Sequence, residues 1–491
     1  MKKTLIIHPF LLPLSLIIFL LANNIDQLKY KIVLTPILAA LFIAVSIFFI
    51  VKIFIKDNLK SGIVSSAILF AFFYYGAFHQ LSKNISAGRI DGHGYLLPLW
   101  LAITACVVFV FVKTKSDLVN INKILNFTLG LFLVISLGNI FIYEMSKSEP
   151  VSDRVIGSDA VVEQNNTYLP DIYYIITDEY ASLDTLRDYF GYENKEFVNF
   201  LKEKGFIVPP KSRSNYHNTL LSLASSLNLK YVNYLSEAIN SPSRPYRIPQ
   251  KMIEDNEAML FLKTQGYKFI TFSSGWAITN FNRNADIFYD KGYLNEFSIM
   301  LIRATALKPF VTDGGILEKD MRKRIWDTFE ELEKTPEIKG PKFVFVHIVS
   351  PHSPYIFGQN GEDVSDIFSD PSPDETKKLY LDQLIFISKK FQNTVDKILE
   401  KSENPPIIII QSDHGVYLSL EEDKEINARI KNFSAYFLPG TIGNIIPKDM
   451  SPVNTFRIIF KRYFGLNIET LESRSYFLGD GKNEDVTNKI K

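Results

Sequence analysis

Apolar and polar positions follow two regimes along this chain. In the first, five stretches carry no Asp, Glu, Lys or Arg: about 4–25, 32–51, 61–82, 92–112 and 124–143. Each is near the roughly 20 residues that a helix needs to cross a bilayer core, so the pattern predicts five membrane spans. A cleaved signal peptide would account only for the first, and no small-residue cleavage pattern follows it. Tyr74 and Tyr75 fall in the middle of the third stretch, where packing or a cavity suits them better than an interfacial belt.

After Pro170 the apolar runs become short and β-branched and alternate with amphipathic segments. DIYYIIT (171–177), YKFITFS (267–273), KFVFVHIV (342–349), PIIIIQS (406–412) and FSAYFLPG (433–440) read as strands. NKEFVNFLKEKG (194–205) and LYLDQLIFISKKFQNTVDKILEK (379–401) have helical spacing. Near-continuous apolar strands of this kind belong to parallel sheets covered by helices on both faces. The alternation predicts a doubly wound α/β domain. The polar, irregular stretch between the regimes divides the chain into a membrane region 1–145, a linker 146–169 and a catalytic domain 170–491.

Charge sharpens this division. Residues 1–145 carry 12 Lys/Arg and 5 Asp/Glu, a balance of +7; with +1 for the whole chain, the remainder is −6. The absence of a strong basic excess argues against a nucleic-acid partner. With the N-terminus inside, eight lysines lie on the cytoplasmic side of the spans and four Lys/Arg outside, which favours that orientation. Five crossings then place everything after Tyr143 outside the cytoplasm. The single cysteine, Cys106, lies within an apolar run; it excludes an internal disulfide, a cysteine-based zinc site and cysteine nucleophile chemistry in the domain.

In open α/β sheets ligands bind beyond the carboxyl ends of the strands. Asp178 follows the first strand, Asp413 and His414 follow IIIIQS, His347 lies near the end of KFVFVHIV, and His352 comes just after it. The domain holds four histidines in all; the fourth, His217, stands two residues before Thr219 in NYHNTLLSLASSLN. Asp oxygens and His nitrogens suit Zn²⁺ or Mn²⁺. A bound cation would lower the pKa of a coordinated hydroxyl, so that Thr219 could attack as an alkoxide. A helix start there would also favour an anion, with the Asn215 and Asn218 amides in reach. The ordinary role of such a threonine is an N-cap, and both roles stand at this point.

Asp178, Thr219, Asp413-His414 and the segment HIVSPHSPY together resemble the alkaline phosphatase superfamily, and within it sulfatase-like membrane proteins such as lipoteichoic acid synthases and phosphoethanolamine transferases. That resemblance implies five N-terminal helices, an extracytoplasmic catalytic domain, and one metal held by Asp178, Thr219, Asp413 and His414. The metal would be zinc or manganese foremost, with magnesium or calcium as further options. The resemblance also implies that His347 and His352 touch the transferred group, the leaving group or a second metal. His352 is the stronger candidate for acid chemistry. The relatives often carry Glu where this chain has Asp178, and Glu179 is adjacent, so either carboxylate is a candidate ligand.

The reading that follows is a membrane-anchored, metal-dependent transferase or hydrolase of phosphodiester groups, phosphoglycerol- or phosphoethanolamine-like. It works through a Thr219 nucleophile on a lipid or glycan donor, with a surface glycan, a lipid or water as acceptor. Two alternatives remain. SRPYR, Ser243 to Arg247, fits the short Ser-x-Pro-x-Arg pattern of sulfatases, which would make the protein a sulfuric ester hydrolase. The chain could also be a non-catalytic membrane protein that binds surface glycans. Among further residues, Asn218 and His217 are candidate substrate contacts. Trp276 is a candidate wall of the acceptor cleft, Lys211 and Arg213 could steer an anion, and Arg429, in EEDKEINAR, reads as a surface arginine.

Overall fold

The computed structural model describes residues 5–25, 30–86, 92–145, 154–156, 169–235, 247–276, 278–292, 294, 296–312, 315–364, 372–440, 445–479 and 482–490. Most of the expected linker 146–169 lies outside the described residues, as does the segment 241–246 that contains Ser243. The chain forms two compact units.

The first unit is helical and comprises residues 1–150 together with 293–319. The helices Leu34–Ile55, His93–Lys113 and Val119–Met145 are long and apolar enough to cross a membrane. Asn58–Phe73 and Tyr75–Ile85 make a further span only if taken as one, and they are bent by 57°. His8–Asn23 is apolar but has 16 residues, about 24 Å of helix against a hydrocarbon core of about 30 Å. The five apolar stretches are thus all helical, but among the described residues three or four satisfy the length of a span. Large side chains such as Phe42, Phe54, Phe109 and Phe127 face outward, as expected of helices whose solvent is lipid. The unit also takes in 293–319, which hydropathy alone leaves with the soluble domain.

The second unit comprises residues 151–292 and 320–491. Its sheet runs β3-β2-β4-β1-β5-β6, with β1 Ile172–Asp178, β2 Lys268–Phe272, β3 Ile287–Tyr289, β4 Lys342–Pro351, β5 Ile407–Ser412 and β6 Ser434–Phe437. All pairings are parallel except β5 with β6. The FSAYFLPG strand therefore closes the sheet as an antiparallel edge.

Alternate residues of the central strands enter opposite cores, as the strand repeat requires. Ile172, Tyr174, Ile176, Phe343, Phe345, Ile407 and Ile409 pack on one face against the helices Thr219–Leu227, Glu257–Thr264 and Thr455–Phe464. Tyr173, Ile175, Val344, Val346, Ile408 and Ile410 pack on the other, against Lys195–Glu203 and the 29-residue helix Pro373–Lys401. β1 lies between β4 and β5, so the carboxyl ends of these three strands open on the same side.

Candidate active site

Those three carboxyl ends carry the candidate residues. Asp178 ends β1, where the register against β4 shifts so that Asp178 falls opposite Pro351, while Ile176 is paired with His347. Asp413 and His414 follow β5 directly. The result is a buried group in which Asp178, His347 and Asp413 each offer one ligand atom within 4.8 Å of the others. His347 Nε2 lies 3.5 Å from Asp178 Oδ2. His414 Nε2 lies 3.7 Å from Asp178 Oδ1 and 3.2 Å from Asp413 Oδ2. His347 thus sits inside the carboxylate group rather than beside it.

Thr219 joins this group from a helix packed on one face of the sheet. It is the first residue of the helix Thr219–Leu227, and the cap is not Thr219 but Asn218, whose side chain accepts from the Leu221 amide at 3.0 Å. The Thr219 hydroxyl is therefore released from capping. It lies 3.1 Å from Nε2 of His414. His414 Nδ1 donates to the Gly415 carbonyl at 2.9 Å, which leaves the Nε2 lone pair facing Thr219 and the carboxylates. A side chain at Gly415 would collide with the carbonyls of Ala428 and Lys431. The glycine lets the helix Glu422–Ile430 close over this turn.

Buried charges require partners, and here the protein supplies only some. Asp413 Oδ1 accepts from the amides of Glu179 and His414, at 3.2 and 2.9 Å. Among the described residues, Asp178 Oδ1, Asp413 Oδ2 and His347 Nε2 are buried without a hydrogen-bond partner. Burial, and then the neighbouring charge of Asp178, push the Asp413 carboxyl up. Burial acts on Asp178 in the same sense, but the imidazoles of His352, His347 and His414 outweigh it and hold Asp178 low. Burial, and then the charge of Arg429, lower His414 to about 4, so it is neutral. Two adjacent carboxylates, neutral imidazole nitrogen and orphaned acceptors aimed at one point are what a divalent cation requires. The residues fit a metal.

The surrounding residues divide into those facing this point and those used elsewhere. Glu179 takes a left-handed backbone (φ +61°), and its carboxylate pairs with Arg429 rather than with the carboxylate group. Arg429 also donates through Nε to the His217 carbonyl at 2.8 Å. It is therefore a buttress of the site and not a surface charge. His352 donates through Nδ1 to the Ser353 carbonyl, and its amide donates to the Asp178 carbonyl at 3.1 Å. Burial would lower the His352 imidazole, but the Asp178 and Glu179 carboxylates outweigh it and raise it. His352, Glu179, Tyr355, Tyr417 and Arg429 line an open cleft of about 810 Å³.

Trp276 meets His347 edge-on, with 5.7 Å between ring centres. His217 packs on Phe477 at 4.5 Å, and burial, followed by the charges of Arg429 and His414, lowers it to about 3. Asn215 does not face the site. Its side chain bridges the Val453 amide and the Arg474 carbonyl, both at 2.8 Å. Arg213 is bound to the Ser473 carbonyl at 2.9 Å and lies 3.5 Å from Asp449.

One residue escaped the sequence pattern. Thr279 holds His347 Nδ1 at 2.7 Å and is itself joined to Ser274 at 2.9 Å. With Nδ1 donating to Thr279, His347 presents its Nε2 lone pair to the carboxylates. The only available signal was its place in the loop that follows β2, another carboxyl end of the sheet.

The family model described as Sulfatase matches residues 170–442, more than half of the chain. No curated protein sequence matches it. Among solved structures, the chain is similar to the C-terminal periplasmic domain of EcEptC from Escherichia coli in complex with Zn, at 13% identity and a TM-score of 0.44, covering 67% of this chain and 95% of that one. It is similar to the soluble domain of lipooligosaccharide phosphoethanolamine transferase A from Neisseria meningitidis, at 10% identity and a TM-score of 0.39, covering 61% and 89%. It is also similar to the lipoteichoic acid synthase LtaP from Listeria monocytogenes, at 12% identity and a TM-score of 0.36, covering 64% and 76%.

Proposed function

The chain belongs to the sulfatase family of alkaline phosphatase superfamily enzymes, and we propose that it transfers or hydrolyses phosphodiester groups through Thr219. The observation that carries this reading is the position of Thr219: first in its helix, not its cap, with its hydroxyl on Nε2 of His414 and beside the orphaned acceptors of Asp178 and Asp413. With Asn218 serving as the cap, the Thr219 hydroxyl is not used by the helix.

Thr219 Oγ1 forms a bond to phosphorus of a lipid or glycan phosphodiester, and the bond from phosphorus to the leaving oxygen breaks. Without an ion the Thr219 hydroxyl donates to Nε2 of His414; with that lone pair committed to an ion, the hydroxyl proton would pass to water and Thr219 would attack as the alkoxide. His352, raised in basicity by Asp178 and Glu179, gives a proton to the leaving oxygen from the rim of the cleft. A second hydroxyl, from a surface glycan, a lipid or water, then attacks phosphorus and releases Thr219. Asp178, Thr219, Asp413 and His414, with His347 on the same group, would hold a divalent cation of the zinc or manganese kind. When bound, such an ion supplies positive charge that favours the threonine alkoxide and offsets the charge of the phosphoryl oxygens. The membrane helices tether the chain to a bilayer, and the lysine distribution favours an N-terminus inside and a catalytic unit outside.

The test is peptide mapping by mass spectrometry of the full-length protein, acid-quenched during turnover of a lipid phosphodiester mixture. A covalent phosphoryl adduct on Thr219 is expected, and its mass names the group. An unmodified Thr219 beside an oxidised Ser243 would replace this reading with sulfuric ester hydrolysis.

A further inference from the structure

The cleft beside His352, of about 810 Å³, falls within the size of small-molecule sites, about 300–1,000 Å³. Phe190, Tyr355, Tyr380 and Tyr417 line it. Tyr380 is fixed at its back. Its hydroxyl accepts from the Ala181 amide at 3.0 Å and donates to the Glu179 carbonyl at 2.7 Å. Phe190 packs on it with 4.9 Å between ring centres, and Tyr355 meets it edge-on at 6.3 Å. This aromatic wall is therefore anchored to the turn that follows β1, the turn that begins at Asp178.

Tyr417 reaches the cleft from another segment, and that segment is tied down at both ends. The Gly415 amide donates to the Arg429 carbonyl at 2.7 Å. The buried Glu425 carboxylate accepts from the Leu418 amide at 3.2 Å and the Leu420 amide at 2.9 Å. Tyr417 itself is 62% exposed. It is not an isolated surface ring: with Phe190, Tyr355 and Tyr380 it surrounds one cleft, and contiguous exposed patches mark binding sites. Among the described residues, nothing bonds to the hydroxyls of Tyr355 and Tyr417. Burial, and then the charge of Glu179, push the Tyr355 hydroxyl up to about 12, so it keeps its proton and can donate.

We infer, on the footing of the Thr219 reading, that this cleft takes a sugar ring and that the acceptor of the transfer is therefore a glycan. A pyranose presents apolar C–H faces and a rim of hydroxyls. A tyrosine matches both, with an apolar ring and a polar phenol. A diacylglycerol would set hydrocarbon against the phenols and the His352 imidazole, which would then lack partners. A polyol as small as glycerol would leave the Tyr417 ring uncovered. In the release step a sugar hydroxyl gives its proton to His352, its oxygen bonds to phosphorus, and the bond from phosphorus to Thr219 Oγ1 breaks. His352 thereby regains the proton that it gave to the first leaving oxygen.

The test is saturation-transfer NMR on the full-length protein in nanodiscs, titrated with methyl β-glucoside, methyl β-galactoside and glycerol. Saturation of the ring C–H protons of at least one pyranoside, and not of glycerol, is expected. Tyr417→Ala, at an exposed position where the fold loses little, should raise the dissociation constant about fivefold, the weight of one aromatic contact. Tyr355→Phe keeps the ring and removes the phenol, and should raise it by about the same factor, the scale of one hydrogen bond. Saturation of neither pyranoside would leave the cleft to an acyl glycerol and overturn the inference. Equal saturation of glycerol, or a dissociation constant indifferent to both variants, would overturn it as well. Binding is read without turnover, on Thr219→Ala protein as well as on the parent. A cleft that binds no sugar and a Thr219 that carries no adduct are therefore separate results.

Discussion

The hydroxyl of Thr219 lies 3.1 Å from Nε2 of His414 while the neighbouring Asn218 caps the helix that Thr219 begins. The two residues thus divide between them what a single threonine usually does, and mutation should separate the roles. Thr219→Ala is expected to remove turnover by about 10³-fold or more, the scale of a lost nucleophile, with a melting temperature close to that of the parent. Asn218→Ala should cost about 1 kcal/mol of stability, as a lost N-cap does, and lower the melting temperature. Paired measurement of turnover and thermal unfolding checks this; an inactive Thr219→Ala that is also strongly destabilised would return Thr219 to a structural role.

The carboxylate adjacent to the site is decided by direction rather than by distance in sequence. Asp178 turns toward His347 and His414, whereas the left-handed backbone at Glu179 turns its carboxylate to Arg429. Asp178→Asn should therefore lose bound metal, and Glu179→Gln should keep it. Elemental analysis of both variants after dialysis is the measurement, and equal loss from both would contradict the assignment. Chelation of the parent should lower its melting temperature, and adding zinc should restore it, because a ligand that binds only the folded state stabilises it.

Thr279 tests the same site from behind. Its hydroxyl fixes which nitrogen of His347 faces the carboxylates, and such outer partners are commonly worth about 10–100-fold in metal affinity. Thr279→Val, similar in shape, should weaken zinc binding by that order in a competition titration while the fold is kept. Unchanged affinity would mean that His347 takes no part in holding the ion.

How much of this was readable beforehand follows from what each feature depends on. The strands ending at Asp178, His347 and Asp413 announce themselves, because a strand buried on both faces must be apolar throughout and must stop where its side chains turn ionisable. The edge strand β6 looks the same in sequence, yet it runs antiparallel; direction depends on the connection before it, not on its own residues. Arg429 reads as solvated because its helix is charged overall, and only the close approach at Gly415 carries it inward. Thr279 has no local mark at all, since its role comes from a histidine 68 residues away. The seating of 293–319 in the helical unit escaped hydropathy for a similar reason: the segment is only moderately apolar and is held by a close backbone fit between Gly76 and the Arg303 carbonyl.

The Arg429–Glu179 pair predicts a stability effect distinct from catalysis. Both side chains are largely buried, 17% and 8% exposed, so removing the cation leaves an uncompensated carboxylate in a poorly hydrated place. Arg429→Met is expected to destabilise the protein by about 3 kcal/mol or more. The double variant with Glu179→Gln should recover most of the loss, because the stranded charge is then gone. Urea unfolding of the two variants checks this, and a double variant no more stable than the single one would place the role of Arg429 elsewhere, in its bond to the His217 carbonyl.

His352 differs from the other histidines in facing the open cleft and in being raised above its ordinary pKa. If it protonates the leaving oxygen, its importance must depend on how much the leaving group needs a proton. An alkoxide departing from a lipid or sugar is a strong base and cannot leave easily without one. A nitrophenolate is already a stable anion. His352→Asn should thus slow turnover of an alkyl phosphodiester by about 10²-fold or more, the usual range for a general acid, and slow a nitrophenyl phosphodiester far less. The loss should appear in kcat rather than in KM, since the proton moves only in the transition state. The raised pKa also gives the effect a direction: the protonated imidazole is the active form, so the parent's rate on the alkyl substrate should fall as pH rises through the His352 pKa, and the variant should lack that limb. Equal losses on both substrates would show instead that His352 only shapes the cleft.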